Sequence, residues 1–323
     1  MPTGRILDAR DEPAESRRLL AQSRDALSTE GYAWADFHFD RGRAQIQDGS
    51  FQGRLWFGPG DEAIAIAGWD PAGELGRRGW IYLAEGYRTR TVLEEFLHRL
   101  EEPSAGLLPF VSWRDEIPGI SPADRHEIFT RRGLTGVVRA DMQFPRGLDP
   151  PPVPIDAAFP TRRLTGDDEG MIADLLYRAY EDSPERALFA TTLDHREDSR
   201  RGARDILHGE VGKWLPDASF GIVEGDRLIA QTLANDFLGG LISEVDVHPA
   251  FRRKGFARRL LPLTIRALRS AGFETPRLVV TMWNPGAVQL YRREGFEFVP
   301  GGAGRVWLDL RAMGVSAPST PAR

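Results

Sequence analysis

The stretch HPAFRRKGFARRLL, His248 to Leu261, gathers five positive charges around Gly255 in a chain whose net charge is −5. An apolar run, LISEVDVHP, leads into it and reads as a strand of about seven residues. Beyond it, apolar positions at 257, 260, 261, 265 and 268 form a helical stripe that stops at Gly272. Arg252, Arg253 and Lys254 therefore sit in a turn between a strand and a helix that begins near Gly255. Such a turn presents unpaired backbone N–H groups at the positive end of the helix dipole. Glycine, without a Cβ, lets an anion approach closely, and Ala257 keeps the next position small. A solvated basic helix start that merely contains glycine has the same spacing, so the stretch alone leaves both readings open. Pro262 lies inside the helical stripe, where the missing N–H predicts a kink or a displaced helix start.

Length and composition bound the rest. With 323 residues, 41% hydrophobic and 28% charged, the chain has room for two domains, each with its own core. It contains no cysteine, which excludes disulfides, thiolate metal sites and a cysteine-bound covalent intermediate. His195 and His208 have no partner at ligand spacing, so no metal is expected. The first residues, MPTGRILDARDEP, lack the basic–apolar–small order of a secretory signal, and no apolar run reaches the length of a membrane span. A cytoplasmic protein without membrane attachment is the expectation. The acidic balance, and a single aromatic, Phe256, between Arg252 and Arg259 where stacking on single strands needs several interleaved, argue against a nucleic-acid partner.

One seam is visible. LDPPPVPIDAAFP, 148–160, holds five prolines in thirteen positions and reads as a stiff linker. It divides the chain into 1–147 and 161–312, followed by a small-residue, Pro-containing tail at 313–323. After the linker come a helix opened by Gly166 and capped by Thr165, a second helix over 199–208, and a hairpin turning at Glu224-Gly225-Asp226-Arg227. After Gly272 follow a strand RLVVTMW, a short helix in NPGAVQLYRREGF closed by Gly295, and a last strand RVWLDL.

The order hairpin, strand, R-x-x-G-x-A (Arg252, Gly255, Ala257), helix, strand, then Asn284 with Tyr291 seven residues later and Gly295-Phe296, resembles the GNAT superfamily of acyl-CoA N-acyltransferases over about 162–310. The resemblance implies a mixed, mostly antiparallel α/β (α+β) sheet with helices on both faces and a bulged strand splayed from its parallel neighbour. It also implies acetyl-CoA as co-substrate. Its pyrophosphate would rest on the loop Arg252, Arg253, Lys254, Gly255, Phe256, Ala257 and Arg258. Its acyl and pantetheine arm would run along Val245, Asp246 and Val247 and touch Asn284. Tyr291 would protonate the leaving thiolate. Many members carry a glutamate five residues before the asparagine; Val279 stands there instead.

Glu244 and Asp246 are two apart on one strand and project from the same face, which makes them base candidates; the alternative is that they pair with arginines of the preceding helices. A tyrosine on an amphipathic helix ordinarily packs a core, and only its spacing from Asn284 singles Tyr291 out. His248, before proline at the strand end, reads as a turn residue. Acceptor selection in the family lies in the first two helices, which points to Met171–His208, with Tyr177, Tyr180, Glu181, Asp182, Phe189 and Trp214 as lining.

The first half repeats the second. GWIYLAEGYRTRTVLEEFL from Gly79 parallels SEVDVHPAFRRKGFARRLL at an offset of 164, and IFTRRGL from Ile128 parallels LYRREGF at 162. Two tandem GNAT-like domains packed on one another are expected, the first degenerate. Thr91 aligns with Gly255, Leu93 with Ala257 and Phe129 with Tyr291, so no coenzyme A binding is expected there. The leading function is N-acetylation of a small-molecule amine by direct attack, with the chain's carboxylates suited to a cationic acceptor. A protein or peptide N-acetyltransferase and an acyl-CoA-binding regulatory pseudoenzyme are the alternatives.

Overall fold

The computed structural model describes residues 4–29, 35–72, 76–101, 110–153, 158–181, 183, 185–186, 188–189, 196–209, 212–237 and 239–313. Asp182, His195 and the tail from residue 314 lie outside these.

The same order of elements occurs twice. The first copy runs β1 (Ile6–Asp8), α1 (Pro13–Thr29), α2 (Ala35–Asp48), β2 (Gly53–Phe57), β3 (Ala63–Ala72), β4 (Gly76–Leu83), α3 (Arg90–Glu101), β5 (Phe110–Arg114), α4 (Pro122–Arg131) and β6 (Thr135–Gln143). The second runs β7 (Thr161–Arg163), α5 (Glu169–Glu181), α6 (Arg196–Leu207), a two-residue strand β8 (Lys213–Trp214), β9 (Phe220–Glu224), β10 (Arg227–Asp236), β11 (Leu241–Val247), α7 (Phe256–Ser270), β12 (Arg277–Thr281), α8 (Pro285–Arg293) and β13 (Glu297–Leu308). In both, neighbouring strands are antiparallel except for one parallel pair, β4 with β5 and β11 with β12. The repeat legible in the sequence is thus a repeat of fold.

The compact units do not coincide with the two copies. Among the described residues one comprises 4–138 with 304–313; the other comprises 139–303. In the first unit Val306–Leu308 pair with Ser112–Arg114 of β5, and Trp307 is buried among Val92, Phe96 and Phe129. In the second unit Arg139–Gln143 pair with β12. Each copy's last strand completes the other unit's sheet. The Pro-rich segment at 148–160 marks where the repeat restarts in sequence, whereas the division in space falls within β6, because strand pairing rather than linker composition decides it. RVWLDL, expected as the last strand of the second domain, belongs to the first unit.

The second unit has helices on both faces of its sheet. Leu164, Leu176, Ile206 and Leu233 form the core under α5 and α6. Leu261, Ile265, Leu278, Val280 and Tyr291 form the core under α7 and α8. Pro262 stays inside α7 and is buried, and the helix start is not displaced: Phe256 opens it with Gly255 as N-cap.

Trp307 is 1% exposed, and its Nε1 donates to Asp115 Oδ1 at 2.7 Å. Replacing it with alanine removes a large core side chain and leaves a buried carboxylate short of a donor. Trp307→Ala is expected to cost about 3–5 kcal/mol in denaturant unfolding. A loss below about 1 kcal/mol would show that the C-terminal strand is not structural in the first unit.

Candidate active site

Strand β11 pairs with β10 up to Leu241–Asn235 and Ile242–Ala234, then resumes at Glu244–Leu233, so Ser243 is an extra residue. This bulge matters because side chains alternate faces along a strand, and one inserted residue exchanges them. Ile242 faces α7 and α8, and without the bulge Glu244 would follow it there. With the bulge, Val245 packs toward α7 and α8 while Glu244 and Asp246 turn toward α5. Ser243 Oγ donates to Asn235 Oδ1 at 2.7 Å, with the Leu233 carbonyl 3.2 Å away. Asn235, fully buried, donates in turn to the carbonyls of Ile206 and Gly212. Beyond the bulge β11 parts from β12, with which it pairs only at Leu241–Arg277. The bulged, splayed strand expected from the resemblance is present.

The edges of this opening carry the chemistry. Glu244 accepts from the Tyr180 hydroxyl at 3.1 Å, and Asp246 accepts from Gln231 Nε2 at 3.0 Å. Among the described residues neither carboxylate forms an ion pair, so the arginine-pair alternative is not what the structure contains. Burial, then the neighbouring Asp246 charge, pushes Glu244 well above the usual carboxylate range. Burial likewise raises Asp246 to about 7, opposed by the Gln231 hydrogen bond and assisted by Glu185. The two titrate as a pair.

Tyr291, expected as proton donor, is 8% exposed on α8 with its ring 6.0 Å from Phe296. Burial, then Glu185, Asp246 and Glu244, raises its phenol, which stays protonated at neutral pH. Asn284 caps α8: its Oδ1 accepts from the Ala287 N–H at 3.0 Å, and its Nδ2 donates to Glu185 Oε2 at 2.7 Å. Glu185, a third carboxylate of the cluster, escaped the sequence reading. It lies between α5 and α6 in a segment without periodicity, and only the fold brings it to Asn284, ninety-nine residues on.

At the outer end, a 3-10 turn, Pro249–Phe251, joins β11 to the loop before α7, and His248 Nδ1 accepts from the Ala250 N–H at 3.3 Å, as a turn residue should. Arg253 and Gly255 both have positive φ, 65° and 84°. A Cβ on Gly255 would meet nothing within 4 Å, so the glycine answers the backbone angle and whatever ligand approaches, not a protein neighbour. Among the described residues, the N–H groups of Arg253 through Arg258 make no hydrogen bond; Arg252 N–H bonds Pro249 and Arg259 N–H bonds Gly255. Six consecutive free donors, flanked by the exposed Arg253 and Lys254, fit a diphosphate. Arg252 is tied by Nη2 to the Ala179 carbonyl at 2.7 Å, Lys254 lies over the Phe251 ring at 4.8 Å, and Arg258 Nε donates to Glu294 at 2.8 Å. Phe256 is buried, and Ala257 is half-buried in the first turn of α7.

Of the expected lining, Tyr180 and Phe189 join the cluster, their rings 5.0 Å apart. Tyr177 stacks under Arg178 and Arg196, Glu181 pairs with Arg178, and Trp214 Nε1 donates to Ser219. Among the described residues, no group of three or more His, Cys, Asp or Glu could hold a metal ion, and no helix is long and apolar enough to cross a membrane.

The equivalent place in the first unit is built differently. Its 3-10 turn is Glu85–Tyr87 and α3 already starts at Arg90, so two residues of the loop are missing. Thr91, aligned with Gly255 by sequence, is the second residue of the helix. Thr89 takes the position before the helix, and its Oγ1 accepts from the Val92 N–H at 3.3 Å, so a side chain occupies a donor that an anion would need. Arg88, counterpart of Arg252, donates to the Tyr82 hydroxyl, and Phe129 stacks on Trp307 at 5.3 Å.

Residues 175–296 match the model of the family described as Acetyltransferase (GNAT) family. A GCN5-related N-acetyltransferase from Sphaerobacter thermophilus superposes with a TM-score of 0.61 at 17% identity, covering 95% of this chain and 96% of its own. A glucosamine N-acetyltransferase region of a fungal multi-domain GH3 beta-N-acetylglucosaminidase gives 0.56 at 12% identity, covering 95% of this chain and 38% of that one. A tandem GNAT protein from the clavulanic acid biosynthesis pathway gives 0.52 at 11%, covering 94% and 98%. At such identities the likeness is one of fold. No curated protein matches the chain.

The raised carboxylates set a pH dependence of stability. With folded pKa values above the unfolded ones, their burial costs nothing when both states are protonated, below about pH 4. Stability is then lost as pH rises through the folded value, about 7 for Asp246. Asp246→Asn is expected to narrow the difference in unfolding free energy between about pH 5 and about pH 8 relative to the parent; an unchanged difference would mean that Asp246 ionises normally.

Proposed function

We propose that this chain, whose residues 175–296 match the model of the Acetyltransferase (GNAT) family, transfers an acetyl group from acetyl-CoA to the primary amine of a small molecule by direct attack. The observation that carries this reading is the run of six free N–H groups, Arg253 to Arg258, opening onto a splayed strand edge beside two raised carboxylates and a buried phenol. Family enzymes generally use acyl-CoA, and the loop suits its diphosphate.

In the reaction the amine nitrogen attacks the thioester carbonyl, the C–N bond forms and the C–S bond breaks, leaving its electron pair on sulfur. The nitrogen must first be neutral. The Glu244–Asp246 pair, with Asp246 raised to about 7, is matched to take its proton near neutral pH. A backbone N–H of Val245–Val247 polarises the carbonyl oxygen. Tyr291, kept protonated, supplies the proton to the departing thiolate. No covalent intermediate is required, in keeping with a chain without cysteine. The first unit, with its shortened and self-capped loop, is assigned no coenzyme A binding.

Release of free thiol from acetyl-CoA across an amine panel tests the activity and separates an enzyme from a pure binder. Gly255→Glu places a carboxylate where the diphosphate rests and is expected to abolish acetyl-CoA binding by calorimetry, whereas Thr91→Glu leaves it unchanged. Equal loss in both would overturn the assignment of the site to the second unit. Tyr291→Phe is expected to lower kcat by roughly 10²–10⁴ with little change in acetyl-CoA affinity; a parental rate across pH would remove Tyr291 from the proton-donor role.

A further inference from the structure

Strand β6 delivers a side chain to this cluster that neither the motif nor the repeat points to. Arg139 stands opposite Thr281 across the β6–β12 ladder. Their neighbours Ala140 and Val280 point into the core under α7 and α8, so by alternation Arg139 and Thr281 lie on the opposite face, the side of Glu244. The guanidinium sits over the Phe189 ring at 5.4 Å. Phe189 packs on Tyr180, and Tyr180 donates to Glu244, which feels the Arg139 charge.

The polar atoms at this place are unsatisfied. Among the described residues the Arg139 side chain makes no hydrogen bond and no ion pair, and its Nε is buried without a partner. Thr281, 1% exposed, has a buried Oγ1 that is also without a partner. By contrast Arg277, four residues before Thr281 on the same face, is satisfied by Asp141 at 2.9 Å. A guanidinium and a hydroxyl left unpaired side by side in a half-buried site are costly unless a ligand completes them. The ligand must be an acceptor of hydrogen bonds, and a planar carboxylate matches the fork of an arginine.

We propose that Arg139 and Thr281 form an anion subsite that holds a carboxylate carried by the acceptor, so that the substrate is an amino-acid-like molecule with both an amine and a carboxylate. The inference rests on the acyltransferase reading of the same cluster. Arg139 fixes the acid end, and the amine lies toward Glu244 and Asp246, with Phe189 and Tyr180 along the side. The acids that feel the Arg139 charge are Glu244 of β11 and Asp141 of β6; Asp246 and Glu185 raise Glu244 in the same cluster, and Tyr180 of α5 donates to it. Against so many acids, an arginine without its own carboxylate partner is the feature that selects a zwitterion over a simple diamine.

The test uses the full chain and pairs of probes, α-amino acids and their carboxamides, in two readouts. In thiol release, the parent is expected to favour the acid over the carboxamide by about tenfold to a hundredfold in kcat/KM, and Arg139→Gln to erase that preference. Thr281→Val, nearly isosteric, is expected to reduce it partially. In calorimetry with coenzyme A present, amino-acid binding should be lost in Arg139→Gln while acetyl-CoA affinity is retained, which also reports that the variant is folded. Equal use of acids and carboxamides by the parent, or weakened acetyl-CoA binding in Arg139→Gln, would overturn the subsite. If no amine is acetylated yet the carboxylate-dependent binding is seen, the subsite stands and the acyltransferase reading falls.

Discussion

One extra residue in strand β11 organises the second unit. Ser243, held by Asn235 and through it to the end of α6, shifts the alternation of the strand so that apolar side chains serve the α7–α8 core before it and acids serve the α5 side after it. Pairing with β12 is confined to Leu241, just before the extra residue. The placement of two carboxylates beside the opening is therefore a consequence of a single local insertion. Without it, Glu244 would lie among leucines, where an unpaired acid is not tolerated.

Around the opening, electrostatics is tuned by enclosure more than by ion pairing. Among the described residues Glu244 and Asp246 accept hydrogen bonds but form no ion pair, and burial beside other carboxylates raises both of them and keeps Tyr291 protonated near neutrality. At the outer end the balance reverses: free backbone N–H groups and exposed cations wait for negative charge. Electropositive and raised-carboxylate ends thus flank the place where the strands part. In the first unit the same backbone order lacks these features, since Thr89 satisfies a donor at its helix start and Phe129 replaces the phenol.

Local patterns made much of this legible. The alternation in LISEVDV placed both acids on one face, the stripe after Ala257 marked α7, and the glycine at a strand-to-helix turn marked the loop of unbonded N–H groups. Asn284 and Tyr291 were found by spacing. The repeat was visible because both halves keep the turn, the helix stripe and the RRxGF-like end. The alignment of Thr91 with Gly255 slipped, because two loop residues are missing and identity alone cannot say where a helix starts.

What the sequence determined by itself is everything set by neighbours along the chain: element order, the glycine turn before α7, the same-face acids, and the absence of thiol chemistry. What only the tertiary structure decided is which distant residues complete each sheet and each site. Glu185, Arg139 and Thr281 carry no local signature, and Trp307 looks like part of the half in which it is written. Strand pairing between segments more than a hundred residues apart assigns them, since a ladder of backbone hydrogen bonds recognises position and pleat rather than sequence.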